Sequence, residues 1–219
     1  MELKSVLLAR SIWLFDSDEI NPHGKDIKQV LRAIGERYHF TKYPKEDKDF
    51  IGIGNSPKDG AEFVGGTFRD LVVGLTVFDD GIVAETRSST DDTDTFVEDL
   101  LQWLVIQFGF VYERGTVGSK SYVSQLLVTT DRSVAALNPK LAGFAEKLAS
   151  LTSTENNSVV YEPGGIIFRS DPANKISPSF FTFDRRAGVP FRENKYFSQA
   201  PLRTQVHLDM LSELENILS

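Results

Sequence analysis

Two apolar, β-branched runs, residues 71–78 and 82–86, flank Asp79-Asp80-Gly81, and an acidic stretch after them opens into a long apolar segment ending at Phe108. Runs of this composition joined by Asp-Gly predict a β-hairpin, because a type I′ turn needs positive φ at both central residues and Asp-Gly tolerates it. Ser89-Thr90-Asp91-Asp92-Thr93-Asp94 predicts a helix start, with side-chain oxygens for the orphan N–H groups and negative charge at the positive end of the dipole. In the helix body Phe96, Leu100, Trp103, Leu104 and Phe108 make one stripe, and Val97, Leu101 and Val105 adjoin it. So wide an apolar arc must be covered on more than one side. The segment therefore commits the chain to an α+β core, and it holds no reactive group.

Residues 5–15 are apolar on both alternating faces, as a central strand covered on both sides should be. Residues 16–24 read as a polar loop, and a helix follows over about 26–38 with Ile27, Val30, Leu31, Ile34 and Tyr38 on one face, Gly35 being a point where it could stop early. Residues 41–60 are charged and rich in Gly and Pro, which predicts a loop or excursion. Residues 61–69 read as a strand bent at Gly65-Gly66. Residues 119–130 predict a strand, Asp131 caps a short helix toward Leu137, and Asn138-Pro139 starts another whose buried face is Leu141, Phe144, Ala145, Leu148 and Leu151. Residues 158–162 and 165–169 flank Pro163-Gly164, a pair suited to a type II turn and so to a second hairpin. Residues 179–184 add a strand, and a last helix over 202–218 turns Leu208, Leu211, Leu214 and Leu218 to the core after Pro201. No internal repeat is visible. The expected fold is a single α+β domain over residues 1–219, with a mostly antiparallel or mixed β-sheet and about four flanking helices. Residues 170–200 form a long surface segment in this reading.

At 219 residues the chain can build a core without staples, since roughly 70% of the unfolded surface is buried at such a size. It has no cysteine. That removes disulfides, thiolate zinc sites, iron–sulfur clusters and cysteine nucleophiles. Arg10 interrupts the apolar N-terminal run short of a signal-peptide core, and no run approaches the ~20 residues of a membrane span, so the expected location is the cytoplasm, with no membrane partner. The net charge of −7 repels a phosphate backbone on average. Residues 169–195 depart from it, with six basic residues (Arg169, Lys175, Arg185, Arg186, Arg192, Lys195) against three acidic ones.

Few chemistries survive inspection. Residues 115–121 resemble a phosphate-binding loop, but the glycine spacing is wrong and a strand follows where a helix N-terminus is needed. Neither a Gly-x-Ser-x-Gly elbow nor a His-Glu-x-x-His helix is present. The catalytic candidates are Asp16, Asp18, Glu19 and His23 after the first strand, where carboxylates commonly hold Mg²⁺ or Mn²⁺ for phosphoryl transfer, with Asp70 or Glu85 as further ligands. Asp16 and Asp18 equally suit turns that bond their own backbone, the reading preferred here, so neither a metal nor a cofactor is expected. His39 and His207 read as solvent-facing or satisfied by neighbours.

The binding candidates are Arg185, Arg186, Phe191, Arg192, Tyr196 and Phe197, where arginines alternate with aromatics as they do at protein interfaces and on stacking surfaces for single-stranded nucleic acid. The leading expectation is a non-catalytic protein–protein interaction protein, a subunit of or adaptor in a larger assembly, binding a protein partner or a second copy of itself. Nucleic acid ranks below protein as a partner and would have to meet residues 169–195. The alternatives are a metal-dependent phosphoesterase or nuclease built on Asp16, Asp18 and Glu19, and an acidic inhibitor or immunity-type protein for a basic partner.

Overall fold

The structure, a computed structural model, describes residues 1–46, 49, 60–113, 115, 117–173 and 178–218. Most of the 41–60 excursion, and Lys175, lie outside them. In chain order the elements are β1 (Glu2–Leu14), α1 (Ser17–Ile20), α2 (Ile27–Arg37), β2 (Ala61–Phe68), β3 (Leu71–Phe78), β4 (Gly81–Thr86), α3 (Thr90–Phe108), β5 (Ser119–Thr129), α4 (Ala142–Thr152), β6 (Gly165–Phe168), β7 (Phe181–Arg185), β8 (Lys195–Ala200) and α5 (Thr204–Leu218). The strands follow the order β2-β3-β4-β1-β5-β8-β7-β6. Pairs β2·β3, β3·β4, β1·β4, β6·β7 and β7·β8 are antiparallel. The fold is α+β, as the sequence implied, and residues 17–20 make one helical turn where a loop was expected.

Leaving aside α1, the order strand, helix, three strands, helix occurs twice, once from β1 to α3 and again from β5 to α5. The sequence shows no repeat because each element needs only its own burial period. The chain divides into two compact units, Leu8–Ser124 with Leu202–Thr204, and Met1–Leu7 with Gln125–Pro201 and Gln205–Ser219.

In the first unit the register pairs Phe78 with Gly81, so Asp79 and Asp80 alone make the β3–β4 turn. None of the three has positive φ, which replaces the expected type I′ turn. Gly81 is needed for space: a Cβ there would lie 2.3 Å from the Trp13 carbonyl on β1. At Gly65, with φ +67°, β2 bulges between Phe63 and Gly66 as the Gly-Gly pair suggested. Outside β2, the Thr41 N–H reaches the Val64 carbonyl at 3.0 Å and the Val64 N–H reaches the Lys42 carbonyl at 2.8 Å.

Helix α3 starts on Ser89, whose Oγ accepts the Asp92 N–H at 3.1 Å and donates to the Asp92 carboxylate at 2.7 Å. It ends on Gly109 in the left-handed region, where glycine costs nothing. Phe96, Val97, Leu100 and Leu101 are buried in the same apolar cluster as α2 residues Val30, Leu31 and Ile34. Trp103 is half-buried, with the Arg37 guanidinium 5.0 Å from its ring centre. Helix α2 runs through Gly35, which is buried.

In the second unit the core gathers Leu126, Val128, Phe183, Tyr196, Leu211, Leu214 and Leu218, with the Phe183 and Tyr196 rings stacked 4.3 Å apart. Residues 170–200 are thus partly interior, since β7 and β8 contribute Phe183, Tyr196 and Ser198 to it. Three local expectations need correction. Ser133, not Asp131, caps the turn Val134–Leu137, because its Oγ reaches the Ala135 N–H at 3.1 Å. Asn138 makes no side-chain cap. Strand β6 pairs with β7, not with residues 158–162, and Gly164 has no positive φ, so its turn is not type II. The Gly164 carbonyl instead accepts the Arg185 N–H at 2.7 Å, which extends the β6–β7 ladder.

Two outcomes follow from these cores. Phe96→Ala should cost about 3 to 5 kcal/mol in urea melts, from lost transfer energy plus a cavity, while the half-buried Trp103→Ala should cost less. His207, fully buried with Nε2 2.8 Å from Ser198 Oγ, has its pKa pushed by burial from 6.5 down to about 4. The unfolded chain then binds the proton more readily than the folded one, so stability present above 6.5 is lost as the pH falls from 6.5 toward 4. Melts between pH 7 and pH 5 should show a loss on the order of 2 kcal/mol that His207→Gln flattens.

Candidate interaction surface

The loop after β1 does not gather a metal site. Asp16, Asp18, Glu19 and His23 are all exposed. The Asp16 Oδ1 accepts the Asp18 N–H at 2.9 Å and the Asp16 carbonyl accepts the Ile20 N–H at 3.2 Å, so Asp16 starts α1. Glu85 is held by Arg10, 2.7 Å from its Nε, and Asp70 is exposed at the β2–β3 turn. Among the described residues no three His, Cys, Asp or Glu side chains are grouped so as to hold a metal ion.

The arginine and aromatic segment divides into an interior and an exterior part. Tyr196 is fully buried, its hydroxyl accepting the Val134 N–H at 3.0 Å, so it supports the surface and cannot touch a partner. Arg185 also turns inward, its side chain only 8% exposed. Its guanidinium donates to Glu162, to Ser133 Oγ at 2.8 Å and to the Phe191 carbonyl at 2.9 Å, and lies over the Phe191 and Tyr196 rings at 4.7 and 5.5 Å. Its Nε is buried without a partner among the described residues. Phe197 is half-buried on β8. Arg186, Phe191 and Arg192 are exposed, and neither of these two guanidinium groups has a partner among the described residues. The structure therefore keeps three of the six candidates together at the surface.

Beside them lies a surface that sequence reasoning assigned to the core. Helix α4 has no buried residue: Phe144 is 63% and Leu151 is 72% exposed. Its apolar period was legible, but periodicity does not reveal whether the chain itself supplies a cover. Ala142, Ala145 and Ala149 of α4 line one side of a cleft of about 310 Å³, and Val159, Val160, Tyr161 and Glu162 line the other. Glu162 is the residue that pairs with Arg185, so one lining residue of the cleft is tied to the strand that leads into the Arg186–Arg192 turn. Past Pro163 the chain enters β6, the last strand of the sheet, where Ile167 and Phe168 are exposed. Among the described residues, eight of the nineteen exposed large apolar side chains fall between 141 and 180, a concentration in this stretch of the second unit.

The inner and outer arginines should behave differently. Arg185→Ala strands the half-buried Glu162 carboxylate and should destabilise by roughly 2 to 3 kcal/mol in urea melts, less than a fully buried pair would lose. Arg186→Ala, at an exposed unpaired group, should stay within about 0.5 kcal/mol of the wild type.

No protein-family model matches the chain, and no curated protein matches it significantly in sequence. Among solved structures it is similar to a Methanococcus jannaschii TBP, with 14% sequence identity and a TM-score of 0.47 over 100% of this chain and 98% of that one, a likeness too loose to carry a ligand or partner across.

Proposed function

We propose that this chain is a non-catalytic interaction protein that docks a protein partner on the second unit, through α4, the cleft beside it and the turn bearing Arg186, Phe191 and Arg192. The observation that carries the reading is α4: a helix with an apolar face and no buried residue. The helix at the same place in the first repeat of element order, α2, buries Val30, Leu31, Ile34 and Gly35. Leaving large apolar side chains in water forgoes roughly 1.5 to 3 kcal/mol each, which burial under a partner recovers. A partner with an apolar centre and acidic rim suits the site, since Phe144 and Leu151 offer the former contact and Arg186 and Arg192 the latter. For the phosphoesterase and acidic-inhibitor readings, no described feature adds support.

The reading is checked by cross-linking in the native host followed by mass spectrometry, with wild type, Phe144→Asp with Leu151→Asp, and Arg186→Glu with Arg192→Glu. Cross-links between residues 140–195 and a small set of proteins should appear in the wild type and disappear from the first pair, because truncating an interface anchor costs more than ~1 kcal/mol. The second pair should weaken them in a salt-dependent way, with melting unchanged in both. An identical set of cross-linked proteins in all three would remove the surface from consideration.

A further inference from the structure

The first unit holds a cavity of about 260 Å³, open to solvent on one side, between α1, α2, the β3–β4 hairpin and α3. Twelve of its fifteen lining residues are apolar, and it reaches in to Leu101 and Leu104, which are themselves buried. Interiors normally pack without voids of this size, and an apolar cavity of about 150 Å³ already admits benzene. Taking ~30 Å³ per non-hydrogen atom, the space suits a molecule of about eight or nine such atoms.

The three polar lining residues say which end such a molecule would present. Asn21 is committed, its Oδ1 accepting the Lys25 N–H at 2.9 Å and its Nδ2 donating to the Lys25 carbonyl at 3.1 Å. Asp18 and Asp79 are exposed, and neither carboxylate has a partner among the described residues. An ionised carboxylate only accepts hydrogen bonds. Among the described lining side chains, the polar groups still free are therefore anionic acceptors at the exposed part of an otherwise apolar lining.

We infer that this cavity is a binding site for a small cationic amphiphile, an apolar body of about eight carbons ending in an amine, with the body against Leu101 and Leu104 and the ammonium at Asp18 and Asp79. Fatty acids of the same length would bring like charge to the mouth, and neutral alcohols would gain burial without the charge contact. Helix α1 holds the mouth in place, since the Val111 N–H reaches the Ile20 carbonyl at 2.9 Å. The site lies within the first unit and is independent of the docking surface proposed for the second.

The test is isothermal titration of the full chain at neutral pH with n-octylamine, 1-octanol and octanoate. Octylamine should bind, hexylamine should be weaker by roughly fourfold per methylene lost, and octanoate should be weaker than octylamine by about tenfold or more. Asp18→Asn with Asp79→Asn, both at exposed positions, should bring octylamine close to octanol while leaving octanol unchanged. Ile27→Trp, which enlarges a half-exposed residue at the mouth, should abolish binding of both, with circular dichroism reporting an intact fold. Absence of octylamine binding to the wild type overturns the inference. So does octanoate binding as tightly as octylamine, or octylamine binding to Ile27→Trp at wild-type affinity.

Discussion

Trp13 holds the first unit from three directions. Its carbonyl comes so close to the hairpin that residue 81 has no room for a Cβ. Its indole N–H donates to Asp94 of α3 at 2.9 Å, and its ring carries the Lys120 ammonium of β5 at 3.2 Å. Asp94 in turn accepts from the Tyr122 hydroxyl at 3.0 Å and from Arg203 at 2.7 Å. Burial and that carboxylate push the Tyr122 hydroxyl up to about 12, so it remains a donor across the physiological range. The main chain of residue 13 thus limits the space at the hairpin, while its buried indole fixes the seat of α3 and, through Asp94, the approach of the segment Leu202–Thr204.

The parts of this arrangement that depend on neighbours in sequence could be read from sequence. The β3 and β4 runs, a helix cap within residues 89–94, the two stripes of α3 and the Gly65-Gly66 bend were all visible, because each rests on a period or a dihedral that one residue type satisfies. What escaped depends on distant partners. The need for glycine at 81 comes from a carbonyl sixty-eight positions earlier. The pairing of Arg185 with Glu162 brings together residues from two segments, and it turns an apparent surface arginine into an interior one. Residues 165–168 found their partner in β7 because the ladder was available there, whatever the Pro-Gly pair suggested.

The same limit explains the candidate surface. Helices α2 and α4 both carry apolar residues at helical spacing, more sharply sided in α2, yet α2 buries four residues and α4 none. Sequence periodicity records a demand for cover and is silent on who provides it. On the proposed reading a partner supplies that cover, and Arg186 and Arg192, without a partner among the described residues, would add a charge preference to an otherwise nonspecific apolar patch.

The two ends of the strand order are unlike. At β2 the main chain of residues 41 and 42 occupies the hydrogen-bonding groups of Val64, whereas β6 is the terminal strand on its side and carries Ile167 and Phe168 in the open. An edge blocked at one end and open at the other permits a single addition. Two copies joined through β6 would leave β2 at each outer end, where the pairing of Val64 with residues 41 and 42 hinders further strand addition.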